Sequence, residues 1–87
     1  MTARRVVYTR RADRDLMRLP EKDRIAIADA VEAWARGESR VDVAKLTDVQ
    51  PPEWRIRVGH WRALADHPAP DVVRVLRVLD RKDAYRG

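Results

Sequence analysis

Three arginines in one nine-residue stretch carry the chemical interest of this chain. Trp54-Arg-Ile-Arg-Val-Gly-His-Trp-Arg62 alternates apolar side chains with guanidiniums around a Gly-His pair. Guanidinium is a planar, permanently protonated donor whose fork matches the oxygens of a phosphate or a carboxylate. If Gly59-His60 is a two-residue turn, Val58 faces Trp61, Arg57 faces Arg62, Ile56 faces Ala63 and Arg55 faces Leu64. Strand side chains alternate between faces. Trp54, Ile56, Val58, Trp61, Ala63 and Ala65 therefore fall on one side, and Arg55, Arg57, Arg62 and Leu64 on the other. Like charges opposed across a ladder cost some tenths up to about 1 kcal/mol. A sequence that sets Arg57 against Arg62 either pairs them with carboxylates or keeps them for an anionic ligand. Glu53, Asp66, Asp80 and Asp83 are the acids at hand, and none sits in the middle of these strands. Arg81, Lys82, Tyr85 and Arg86 follow the last apolar run and can be delivered to the rim of the same face.

The elements that must position these groups are legible around them. Arg4 to Thr9 reads as a short strand of β-branched and aromatic residues, with Thr9 as N-cap of a helix carrying Ala12, Leu16 and Leu19. Pro20 ends that helix, since it lacks an N–H and disfavours helical geometry at Leu19. A second helix spans Glu21 to Arg36, with Ile25, Ile27, Ala28, Val31, Trp34 and Ala35 as its apolar stripe and Gly37 as its stop. Glu38 to Pro52 reads as a connecting loop, pinned by Val43 and Leu46. Trp54–Val58 and Trp61–Asp66 form the hairpin, His67 to Asp71 is a turn, and Val72–Leu79 suits a central strand covered on both faces. The expected fold is α+β, with residues 1–87 as one domain. An N-terminal strand precedes a two-helix hairpin packed on a small, largely antiparallel four-stranded sheet, in the order β-α-α-β-β-β.

Composition narrows the classes. The 87 residues are 45% hydrophobic and 38% charged, a globular balance. There is no Cys, which excludes disulfides, thiolate catalysis and cysteine-held metal. Carboxylates do not cluster near the arginine face, so no metal site is expected. No apolar run approaches the roughly 20 residues of a membrane span and no signal-peptide core is visible, so the expectation is a cytoplasmic protein without a membrane partner. Nineteen basic residues, sixteen of them Arg, against fourteen acidic leave a net charge of +5. That balance points toward nucleic acid, although Arg can also be merely the habitual basic residue of a genome. Trp34, Trp54 and Trp61 fall on core-facing positions, which argues against their use as stacking platforms.

The hairpin, the apolar strand after it and Arg81-Lys-Asp-Ala-Tyr-Arg86 together resemble the RelE/ParE toxin superfamily, and within it the RelE-type mRNA interferases. Tyr8-Thr9, Ala12, Asp15-Leu16, Leu19-Pro20 and Ala44-Lys45-Leu46 recur in the same order in that family. The resemblance implies the toxin of a type II toxin–antitoxin module. Such a toxin cleaves mRNA in the ribosomal A site without metal or other cofactor, and is neutralised by a RelB-like antitoxin. It implies Arg57, Arg62, Arg81 and Tyr85 as catalytic residues, with Arg55, Lys45, Lys82 and Arg86 as substrate contacts. On those positions Tyr85 would be base or 2′-OH orienter, Arg57 and Arg62 the scissile-phosphate clamps, and Arg81 the stabiliser of the leaving group. Some family members carry Lys where this chain has Arg55 and Arg57. Because Arg cannot release its proton, base duty falls on Tyr85 alone. His60 and His67 occupy turn positions and read as surface residues. Two other readings stand beside this one: a ParE-like gyrase poison, and a non-catalytic basic module that binds RNA or DNA.

Overall fold

The computed structural model describes residues 3–84. Strand β1 (Arg5–Tyr8) leads into helices α1 (Arg10–Met17) and α2 (Glu21–Ala35). Strands β2 (Asp42–Lys45), β3 (Trp54–Val58), β4 (Trp61–Ala69) and β5 (Val72–Asp80) follow, and a short helix α3 (Arg81–Ala84) ends the described chain. They build one five-stranded sheet in the order β1-β5-β4-β3-β2. Its neighbours are antiparallel except β1, which runs parallel to β5 with Arg5 opposite Val72 and Tyr8 opposite Val75.

Local chemistry explains the helix ends. Thr9 Oγ1 accepts from Ala12 N–H at 3.1 Å and donates to the Leu76 carbonyl at 2.9 Å, so one hydroxyl caps α1 and ties it to β5. At the end of α2, Gly37 at φ +81° lets its own N–H reach Trp34 O while Glu38 N–H reaches Ala33 O. That double closure satisfies two orphan carbonyls and needs the left-handed conformation that glycine adopts without strain. Both helices press one face of the sheet: Ala12, Ile27, Val31 and Ala35 pack on Ile56, Ala63, Ala65, Val73, Val75 and Val78. Apart from two isoleucines, this core is alanine and valine, which lets the helices lie close to the strands.

The structure departs from the sequence reading at four places. The segment expected as a loop contains β2, so the sheet has five strands where four are expected. Four residues with a charge at each end make a short edge strand whose pattern is too brief to stand out. Second, β4 runs through His67 to Ala69, past the expected turn. Pro68 lies where the ladder skips from Asp66 to Ala69, an irregular position that tolerates a residue without an N–H. His67 is accordingly no turn residue: its ring packs 5.1 Å from Trp34 and 4.7 Å from Trp54 between centroids. Third, Ile25 is 60% exposed, because two residues along a helix turn it about 200° away from buried Ile27. Fourth, β5 contains a bulge opposite Leu64 and Ala65, where Arg77 and Val75 are the paired residues and Leu76 is extra.

Beyond Tyr8, β1 no longer covers β5, and α1 takes over that edge. Thr9 N–H bonds Val75 O at 3.0 Å. Asp15 Oδ2 accepts from Val78 N–H at 2.9 Å and from Arg77 Nε at 2.8 Å, with Arg77 Nη2 on Oδ1 at 3.4 Å. One carboxylate thus stands in for a missing strand and fixes a guanidinium. Asp15→Ala leaves a ladder N–H and a half-buried cation unpartnered, and should lower the unfolding free energy by about 1–3 kcal/mol in urea denaturation.

Candidate nucleic-acid interface

The β3–β4 hairpin has the expected register: Val58 opposes Trp61, Arg57 opposes Arg62, Ile56 opposes Ala63 and Arg55 opposes Leu64. Gly59 adopts φ +59°, and no other turn residue has positive φ, which is the pattern of a turn matched to strand twist. Extending the rows across the sheet gives Asp42–Arg57–Arg62–Leu79 and, one step over, Ala44–Arg55–Leu64–Arg77. Alternation puts both rows on the face away from α1 and α2. Arg55, Arg57 and Arg62 therefore do converge on one surface.

Their partners differ, and the differences are informative. Arg57 meets Asp42 at 3.4 Å, with both side chains just over half exposed (53% and 54%). Such a pair is worth only about 0–1 kcal/mol and opens readily to another anion. Arg62 is 4% exposed, yet no carboxylate among the described residues forms an ion pair with it. Its Nη1 donates to Gly59 O at 3.0 Å and Trp61 O at 2.9 Å, while its Nε has no acceptor among the described residues. The Nε of half-buried Arg55 is likewise buried without an acceptor among those residues. Burying a cation on carbonyl dipoles alone leaves much of its desolvation uncompensated.

The tail joins this surface through the same turn. Arg81 N–H donates to His60 O at 2.8 Å, so α3 starts beside the two carbonyls that hold Arg62. Arg81 and Lys82 are exposed there, and Lys82 N–H rests on Asp80 Oδ1 at 3.1 Å. Tyr85 and Arg86 lie outside the described residues. His60 is exposed on the turn, with its ring 4.7 Å from that of Trp61. Lys45 does not join the set: it pairs with Trp54 across β2–β3, on the helix-covered face, with Nζ 5.7 Å from the Trp54 ring centroid.

Of the four acids nearest the hairpin and tail in sequence, Asp66 binds Arg74 in a fork at 3.0 and 2.7 Å and Asp80 accepts from Lys82. The partner of Arg57 is a fifth, Asp42, hidden because its strand has the sequence character of a loop. The alternation of Val41, Asp42 and Val43 is the one signal that reveals it. Arg74 and Arg77 are equally easy to miss, since they stand inside a run that is otherwise apolar. Their hydrogen bonds to Asp66 and Asp15 raise both guanidiniums further above their ordinary pKa, so they act as fixed structural cations. Among the described residues, no three His, Cys, Asp or Glu side chains gather into a metal-holding group. Likewise no described helix is long and apolar enough to cross a membrane. What remains is a surface on which Arg55, Arg57, Arg62 and Arg81 can grip an anion of several oxygens, as a phosphodiester is.

Three comparisons bear on this geometry. A family model described as "ParE toxin of type II toxin-antitoxin system, parDE" matches residues 6–85. No curated protein sequence matches the chain. The fold is that of solved toxin chains in antitoxin complexes. The RelB-RelE complex of Methanococcus jannaschii aligns at TM-score 0.74 and 24% identity, covering 92% of this chain and 95% of that one. The RelE-RelB complex of Pyrococcus horikoshii OT3 aligns at 0.69 and 21%, covering 92% and 97%. The RelBE2 complex of Mycobacterium tuberculosis aligns at 0.71 and 24%, covering 93% and 94%.

The solitary burial of Arg62 has a measurable signature. Replacing a buried charge that lacks a counter-ion by an apolar residue of similar length is neutral or stabilising by about 1–4 kcal/mol. Arg62→Met should therefore keep or raise the melting temperature in a calorimetric scan.

Proposed function

This chain belongs to the ParE toxin family of type II toxin–antitoxin systems, within the RelE/ParE superfamily, and we propose that it is a ribosome-dependent mRNA endoribonuclease. The observation that carries this reading is Arg62: a buried guanidinium held on backbone carbonyls, without an ion-pair partner among the described residues, directly across the ladder from Arg57. Such an arrangement detracts from stability and is useful only to an incoming anion.

The chemistry is internal transesterification. The ribose 2′-oxygen attacks phosphorus as its proton is taken, the P–O5′ bond breaks, and the 5′-oxygen gains a proton. The products are a 2′,3′-cyclic phosphate and a 5′-hydroxyl. Charge grows on the nonbridging oxygens in the transition state, where aimed guanidiniums act most strongly. In this reading Arg57 and Arg62 clamp those oxygens, Arg57 exchanging Asp42 for the phosphate. Arg81, anchored at the hairpin turn, stabilises the departing 5′-oxygen, and Arg55 makes a secondary phosphate contact. Lys82 and Arg86 lend charge from the tail. Tyr85 orients the 2′-hydroxyl or accepts its proton, since cations beside a phenol favour its ionised form. None of the arginines can shuttle protons, so the reaction depends on the ribosome to fix the mRNA in line. A RelB-like antitoxin covering the arginine face would silence the site, and the antitoxin-bound state of the similar structures supports that partner.

The family description favours one alternative, a gyrase poison. Inducing the chain while mapping mRNA 5′ ends, with a gyrase supercoiling assay in parallel, separates the two. Codon-phased cuts with normal supercoiling are expected; cleaved or relaxed plasmid with intact mRNA would transfer the chain to gyrase. Arg62→Gln should slow ribosome-dependent cleavage by about 10²–10³-fold, the scale of losing one preorganised donor to an oxyanion. Tyr85→Phe should remove most cleavage while ribosome binding persists, as read by co-sedimentation.

A further inference from the structure

A second group of arginines lies away from the hairpin. Arg11, Arg14 and Arg18 recur at three- and four-residue spacing along α1 and its C-cap, so they share one side. With Asp15 and Arg77 they line a depression of about 130 Å³. A larger hollow of about 310 Å³ shares Asp15, Arg18 and Arg77, and continues toward Trp61, Leu79, Asp80 and Asp83. The two form one groove from the outer side of α1 to the start of α3.

This cluster works against the helix that carries it. Arg10 and Arg11 stand in the first turn of α1, where the positive end of the helix dipole disfavours cations. Like charges three and four residues apart add about 0.2–0.5 kcal/mol of destabilisation each. Among the described residues, no carboxylate forms an ion pair with Arg11, Arg14 or Arg18. Asp15, the one acid lining the depression, is occupied by Arg77 and Val78 N–H. The fold gains nothing from these three charges, whereas a polyanion would.

The lining selects among polyanions. A protein segment needs apolar anchors to bind well, and the depression offers only charged side chains. A nucleic-acid backbone needs only cations and donors. In the larger hollow Asp80 and Asp83 repel phosphate but can accept protons from the amino groups of bases, beside the apolar surface of Trp61 and Leu79. The two parts of the groove therefore suit the two halves of a nucleotide.

We propose that this groove is a second subsite for single-stranded RNA, in which Arg11, Arg14 and Arg18 hold backbone phosphates and the hollow beside Trp61 seats an unstacked base. The choice of RNA rests on the nuclease reading; the groove itself does not. The test is fluorescence anisotropy of the full chain with a labelled single-stranded RNA about 12 nucleotides long, long enough to cross both parts of the groove. Arg11→Gln/Arg14→Gln/Arg18→Gln should weaken binding about tenfold or more and reduce the slope of log K against log salt by about 2, near 0.7 for each phosphate no longer neutralised. Arg5→Gln/Lys22→Gln/Arg24→Gln removes the same charge elsewhere and should change affinity by less than about threefold. The α1 variant should melt no lower than the parent, because it relieves like-charge repulsion. Unchanged RNA affinity in the α1 variant, or equal weakening in the control, overturns the subsite. Loss of antitoxin binding with RNA affinity intact also overturns it, assigning the groove to protein. Codon-phased cleavage separates the two readings. If the parent cleaves no mRNA but the α1 variant still binds RNA more weakly, the nuclease reading fails and the subsite stands. Cleavage with no change in affinity has the reverse meaning.

Discussion

Three consecutive carbonyls at the β3–β4 turn hold the basic end of this molecule together. Gly59 O and Trp61 O take the guanidinium of Arg62, and His60 O takes the N–H of Arg81. Carbonyl oxygens are dipoles, not charges, so they orient a cation without neutralising it. A carboxylate in the same place would have given a stronger ion pair and a spent site. Everything proposed for the arginine face follows from that substitution of dipole for charge, and it depends in turn on a glycine at φ +59° that points the carbonyls the right way.

Elsewhere the chain uses its acids differently. Asp15 and Asp66 each close a fork with an arginine of β5, one at the sheet edge and one within the sheet. These pairs set the geometry of the last strand, on which α3 and the tail depend. Arg57 and Asp42 stand between the two regimes, on the edge strand, near enough to attract and exposed enough to part. Fixed cations, loosely held ones and uncompensated ones thus occupy successive positions on one sheet.

How much of this is legible in the residues alone depends on the length of each pattern. The hairpin register follows from five alternating residues on either side of a Gly-His pair, because a slip by one would turn Trp54, Ile56 and Val58 to solvent. The Thr9 cap and the Gly37 stop are equally visible, since each residue type has few other reasons to stand there. The four residues of β2 carry too short a pattern, and with that strand go the partner of Arg57 and the true side of Lys45. Arginines inside an apolar strand, as at Arg74 and Arg77, look like interruptions until an acid from a distant helix is placed beside them. Asp15 and Arg77 are 62 residues apart, and no local rule connects them. The nuclease chemistry rests on a resemblance, and its phenol lies beyond the described residues.

The parallel pairing of β1 with β5 has a consequence for how the protein is born. Arg5–Tyr8 finds its ladder partners only in Val72–Val75, so the first strand made must wait for the last. Closing so long a loop is a slow step that local helix formation cannot replace. A nascent chain still threaded in the exit tunnel therefore lacks the edge that anchors α1 and cannot finish the sheet that aligns its arginines. The ribosome that makes this toxin is shielded from it until translation of the message is nearly done.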